Sequence, residues 1–128
     1  MVLVKSPCWR SVALLLASAL LAFTTATHAA SHVKKSVYGA IAYEPTRRAV
    51  GYSYDFKSVR EAKIEALKQC GEPTCEVLVS FRNACGALAR GPAKTFAATG
   101  ATRAEAETRA LRRCGDGKCA IAAWACTK

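Results

Sequence analysis

Ser58-Val59-Arg60-Glu61-Ala62, then Ala66-Leu67, then Cys70-Gly71 and Cys75, form a pattern that occurs twice in the chain. The second copy reads Thr102-Arg103-Ala104-Glu105-Ala106, Ala110-Leu111, Cys114-Gly115 and Cys119, at a constant offset of 44 (58 to 102). Each copy opens on a hydroxyl residue with a glutamate three positions later. That is a capping box, which satisfies amide donors left free at a helix start. Val59, Ala62, Ala66, Leu67 and Cys70 follow the helical rhythm and share one face. Gly71 and Gly115 stand where a helix ends in a left-handed turn. The spacing predicts one helix over 58–70 and a second over 103–113.

Outward from the helices, the remaining pieces also repeat. Cys75 to Phe81 reads as a strand after the first helix, and Cys119 to Cys126 as its counterpart. Upstream, Tyr38 to Tyr43 and Ala49 to Tyr54 read as a strand pair joined by a turn at Pro45-Thr46. Ala84 to Ala89 and Thr95 to Thr99 are the second pair. Gly39-Ala40-Ile41-Ala42 returns as Gly86-Ala87-Leu88-Ala89 at an offset of 47 (39 to 86), so the second unit is shorter before its helix. The pattern predicts an α+β chain built from two ββαβ units, 37–82 and 83–128. The expected arrangement is a mostly antiparallel six-stranded sheet with both helices on one face, within a single pseudo-twofold domain over 37–128. Two copies are too few for a solenoid.

The chain has 128 residues, of which 52% are hydrophobic, and a mean hydropathy of +0.09. Its first thirty residues account for much of the apolar excess. Lys5 and Arg10 precede the apolar run Ser11 to Phe23, and Thr27-His28-Ala29 ends it with a small-x-small site. Residues 1–29 therefore read as a signal peptide cleaved before Ala30 or Ser31. The run is shorter than the roughly 20 residues a membrane span needs. Residues 30–36 read as the flexible start of the mature chain. The expected product is secreted or periplasmic, with no membrane span. What remains suits one small domain with a thin core, which excludes a multidomain enzyme, a Rossmann or barrel fold and a polytopic membrane protein.

Of the seven cysteines, Cys8 leaves with the signal. The other six are expected to be oxidised in an exported chain. Equivalent positions in the repeats select equivalent bridges, Cys70 with Cys75 and Cys114 with Cys119, which leaves Cys85 for Cys126. Loop-closure entropy assigns about 2 kcal/mol to each short loop and about 4 kcal/mol to the long one. A zinc site lacks a C-x-x-C pair and a suitable histidine. A redox-active dithiol has two residues between its cysteines, where each close pair here has four.

Nineteen Lys and Arg face nine Asp and Glu, a net charge of +10. The basic residues fall in pairs, Lys34-Lys35, Arg47-Arg48 and Arg112-Arg113. They read either as a solvated surface or as a face for an anionic envelope component; nucleic acid is not expected. Catalytic machinery is sparse. His28 and His32 are the only histidines, one in the signal and one at the new terminus, so no positioned base exists for nucleophilic catalysis. Gly86 and Gly91 do not form a phosphate loop. Glu61 with Glu65 and Glu105 with Glu107 lie on helix faces beside basic partners, not across a cleft. No catalytic, cofactor or metal residues are assigned, and the chain is expected not to be an enzyme.

Five residues stand out for binding. Arg82 and Asn83 sit at the junction of the units, where Asn83 is either a turn residue or a partner contact. Trp124 lies between Ala123 and Ala125, which leave room for its ring either in the core or as an interface anchor. Tyr52 and Tyr54 share a strand face and lie either under a helix or on an exposed aromatic strip.

Taken together, Tyr38-Gly39-Ala40-Ile41-Ala42-Tyr43, Gly51-Tyr52-Ser53-Tyr54, the Ser58 to Gly71 helix, Cys75 to Phe81, Asn83 to Ala89 and Trp124-Ala125-Cys126 resemble the domain of unknown function 4189 family of exported bacterial proteins. The resemblance covers about residues 37 to 127. It implies a small, secreted, cysteine-bearing protein and carries no shared activity, cofactor or catalytic residue. The expected function is an exported binding domain acting through protein contact, as a secreted effector or a periplasmic inhibitor or immunity-type protein. An envelope protein binding anionic glycan or lipid, and a small enzyme with an unfamiliar site, are the alternatives.

Overall fold

The computed structural model describes residues 34–115 and 117–128, so the signal segment and the cleavage site lie outside the described residues. Both capping boxes form. Ser58 Oγ and Thr102 Oγ1 each accept from the amide three residues on, Glu61 and Glu105, at 3.2 Å. The helices are α1 (Val59–Cys70) and α2 (Arg103–Cys114), and both stop on a left-handed glycine, Gly71 at φ 75 and Gly115 at φ 74. Each buries the same three small positions, Ala62, Ala66 and Cys70 in α1 and Ala106, Ala110 and Cys114 in α2. Val59, expected on that face, is exposed at the start of α1.

The strands are β1 (Tyr38–Glu44), β2 (Ala49–Phe56), β3 (Glu76–Arg82), β4 (Cys85–Arg90), β5 (Thr95–Gly100) and β6 (Ala120–Cys126). All pairings are antiparallel, and the two ββαβ units stand as read from the repeat. The strands divide into two three-stranded sheets, β2-β1-β3 and β5-β4-β6, in place of one continuous sheet. The helices consequently lie on opposite outer faces and not on one. α1 packs on the first sheet through Ala40, Ala42, Ala62 and Ala66, and α2 on the second through Ala87, Ala89, Ala106 and Ala110.

The physical reason is that each sheet is apolar on both sides. Ile41, Tyr43 and Phe81 from one sheet meet Leu88 and Ala125 from the other in a third core between them. A single sheet with helices on one face would leave that second apolar face in water. β2 lies over β6, β3 over β5, and β1 over β4, a set of neighbours unchanged when the two repeats are exchanged.

Two symmetric details escaped the sequence reading. β3 and β6 each carry a bulge at one place, where register shifts between Ile41 and Ala42 and between Leu88 and Ala89. Both are edge strands, where a bulge bends the strand and disfavours further pairing. Each repeat is also closed by a latch of at least two hydrogen bonds. The Asn83 amide donates to the Val37 carbonyl, and Asn83 Oδ1 accepts from the Val37 amide, both at 3.0 Å. In the second repeat the Thr127 amide donates to the Ala84 carbonyl at 3.0 Å, and Thr127 Oγ1 accepts from the Ala84 amide at 2.8 Å.

The disulfides are Cys70–Cys75, Cys114–Cys119 and Cys85–Cys126. The first two tie a helix end to the following strand. The third joins directly opposed residues of β4 and β6, and its counterpart in the first repeat is the Tyr38–Arg82 pair. Three such bridges place the folded chain in an oxidising, non-cytoplasmic setting. Among the described residues no helix is long and apolar enough to cross a membrane.

Glu44, buried at the end of β1, closes the β1–β2 turn. Its carboxylate accepts from the Arg47 amide at 2.6 Å and the Thr46 amide at 3.0 Å. Those backbone donors, Arg47 first and then Thr46, hold its pKa below the ordinary carboxylate value. A depressed folded-state pKa contributes stability that is present above the ordinary value and is lost as pH falls through the lowered one. Acid titration of the urea midpoint should therefore show a fall in that window that Glu44→Gln flattens. An unchanged profile in Glu44→Gln would remove this carboxylate from the account.

Candidate functional site

β2 carries a bulge just beyond its exposed tyrosines. Pairing of β1 with β2 slips between Tyr38 and Ala40, and Asp55 takes the left-handed φ of 61. Upstream of that slip, Ser53 faces α1: its hydroxyl donates to the Ala62 carbonyl at 2.7 Å and accepts from the Ala40 amide at 3.1 Å. Alternation along the strand sends Tyr52 and Tyr54 to the other side. In a central strand they would enter the core between the sheets. β2 is an edge strand, so the rings are covered on one side only and remain 42% and 51% exposed.

β6 is the edge of the second sheet and lies opposite β2. Tyr52 and Tyr54 line a cleft of about 480 Å³ together with Ala122, Ala123, Trp124, Ala125, Cys126 and Lys128. Trp124 is 41% exposed, which removes it from the core. Its neighbours Ala123 and Ala125 pack between the sheets, so its own side chain takes the opposite face, where β6 ends the sheet and nothing covers it fully. The Arg103 guanidinium lies 3.8 Å from the centre of the Trp124 ring. Such a cation–π contact contributes about 0.5–1 kcal/mol at an exposed site. The Lys128 amide donates to Asp55 Oδ1 at 2.7 Å, which ties the end of the chain to the β2 bulge across the cleft.

Three of the five residues singled out from sequence thus line this cleft, Tyr52 and Tyr54 from the side between the sheets and Trp124 from the α2 side of β6. Arg82 and Asn83 are not. Asn83 is occupied by its latch to Val37 and holds a left-handed φ of 46, which makes it a turn residue. Arg82 is exposed at the end of β3 beside Tyr38 and Val59. Arg103 and Lys128 were missed, because their nearness to Trp124 and to the cleft depends on tertiary contacts. The described residues include no group of three or more His, Cys, Asp or Glu able to hold a metal ion.

Among known proteins, the model of a domain of unknown function (DUF4189) matches residues 38–126. The chain is 40% identical over 89 residues to the Mycobacterium tuberculosis protein described as "Uncharacterized protein Rv1813c", covering 70% of this chain and 59% of that one. It is 41% identical over 90 residues to the protein Rv1269c of the same species, covering 70% of this chain and 69% of that one. The NMR structure of Rv1813c from Mycobacterium tuberculosis superposes with a TM-score of 0.57 at 38% identity, covering 70% of this chain and 74% of that one. The match therefore spans less than two thirds of the full length of the first of these relatives.

Proposed function

This chain belongs to the DUF4189 family, and from that premise we propose that it is an exported binding domain without bond-making chemistry, whose aromatic cleft docks a protein partner. The observation that carries this reading is that Tyr52, Tyr54 and Trp124 all line one open edge, the tyrosines on the side between the sheets and Trp124 on the α2 side of β6. Tyrosine and tryptophan are the residues that most often dominate binding energy, because they bury a large area at little cost in side-chain entropy. The scaffold beneath them is cross-linked at three points, which lowers the ordering cost of association. The signal-like residues 1–29 and the oxidised cysteines support export, to the periplasm or beyond it. A secreted effector and a periplasmic inhibitor would both use such a surface.

The test is a pull-down with the oxidised domain, 30–128, washed at low and at high salt. A partner held through high salt by the wild type should be bound about 30-fold more weakly by Trp124→Ala, the loss expected for a hot-spot residue worth about 2 kcal/mol. Tyr52→Ala should weaken the same complex. A partner released by salt alone, with equal affinity for both variants, would refute docking at this cleft and leave only screened charge attraction.

A further inference from the structure

Exchange of the repeats gives the molecule a second edge, where β3 lies over β5, and the two edges have diverged in chemistry. Strand pairing makes Ala97 and Thr99 the counterparts of Tyr52 and Tyr54, so the second edge has no aromatic pair. The helix positions beside the edge have changed in the opposite sense. In α1 they are Glu65, Lys68 and Gln69, with Gln69 Nε2 donating to Glu65 at 3.2 Å. In α2 the same positions are Arg109, Arg112 and Arg113. These three guanidinium groups, spaced i, i+3, i+4, line a cleft of about 460 Å³ whose remaining lining includes Leu78, Val79 and Thr99.

Arg109 is held in place there. Its Nη1 donates to the Thr99 carbonyl at 3.0 Å and its Nη2 pairs with Glu105. A guanidinium carries five N–H donors, so several remain for a ligand. Among the described residues Arg112 and Arg113 form no ion pair and no carboxylate lines the cleft. The C-terminal end of α2 offsets part of this charge, but a helix end supplies only about half an elementary charge. The pair of arginines exceeds what the helix end requires.

We propose that this cleft binds a phosphate group. A carboxylate offers two oxygens, whereas a phosphate offers at least three acceptor directions to three guanidinium forks. The half-exposed Leu78 beside the arginines gives the carbon skeleton of a phosphate ester an apolar contact. The group reaches the cleft either on a phospholipid headgroup or on a soluble phosphate ester. This site shares no residue with the aromatic cleft, so either one can fail without the other.

The experiment follows backbone amide resonances of the oxidised 30–128 domain during titration with inorganic phosphate, glycerol 3-phosphate and acetate. Saturable shifts at Thr99 and Arg109 are expected with both phosphates and not with acetate. Arg112→Gln/Arg113→Gln should weaken them at least tenfold, while Arg60→Gln/Lys63→Gln, which removes equal charge from exposed positions of α1, should leave them unchanged. Both pairs are exposed, and matching urea midpoints will verify that the fold is kept. Co-sedimentation with phosphatidylglycerol vesicles, lost in the α2 variant only, assigns the headgroup as the source; binding of glycerol 3-phosphate without vesicle binding assigns the soluble ester. Absence of saturable shifts with either phosphate, or equal weakening by both double variants, would overturn the proposal.

Discussion

Removing the Cys85–Cys126 bridge, as Cys85→Ala/Cys126→Ala, is expected to lower stability by about 4 kcal/mol, about twice the effect of removing Cys70–Cys75. The bridge closes a loop across 41 positions, against 5 for each of the others. In the chain-entropy account it acts on the unfolded state, by denying it the conformations in which the ends of the second repeat are far apart. The β4–β6 pairing that surrounds it in the folded state does not make it redundant. Small domains have about 5–15 kcal/mol in total, so this single change removes a large share. Equilibrium urea unfolding of the two double variants beside the oxidised wild type measures the difference. Equal shifts for the long-loop and short-loop variants would show that loop length is not the source of the stabilisation.

The second large effect concerns Phe81. It is 5% exposed, in the core between the sheets. A methyl group added at Gly86 would come within 2.5 Å of Phe81 Cε1 and 2.7 Å of its Cδ1, and one added at Gly39 would also strike the ring. Gly39 and Gly86 are equivalent positions, one in each sheet. The single ring therefore occupies space that both leave open, while its own counterpart in the second repeat is Ala125. Phe81→Ala should cost about 3–5 kcal/mol, the transfer of the ring plus the cavity left behind. Gly86→Ala should cost about 1–3 kcal/mol by overpacking. The double variant should be more stable than the sum of the two predicts, because the added methyl group then enters the vacated space. Simple additivity of the urea-derived values would contradict this packing.

Local elements were legible because local rules govern them. Ser58 with Glu61 and Thr102 with Glu105 mark helix starts, Gly71 and Gly115 mark their ends, and every strand falls within two residues of its expected limits. The repeat also carried the cysteine pairing, since equivalent positions have equivalent neighbours. The bulges were not legible. Leu78 and Ala122 look like ordinary strand residues, and their extra length shows only against the partner strand. The latch at Thr127 is the counterpart of Asn83, but threonine and asparagine share no side-chain signature that would have linked them.

The candidate cleft was half legible. Tyr52 and Tyr54 on one face, and Trp124 between alanines, were visible as unusual large rings among small residues. Whether they faced core or water depended on which strands are edges. That in turn depended on the number of sheets, which is a long-range outcome.

The amino-acid order alone therefore determined two ββαβ units, their caps, their cross-links and the strong positive charge, because each rests on spacing within a few residues or on comparison of one unit with the other. The tertiary structure alone decided that there are two sheets with helices on opposite outer faces, and hence which edges lie open. The reason is that a face of Ile41, Tyr43 and Phe81 can leave water only against another such face, and alternation along a strand records that a side is apolar without recording what will cover it.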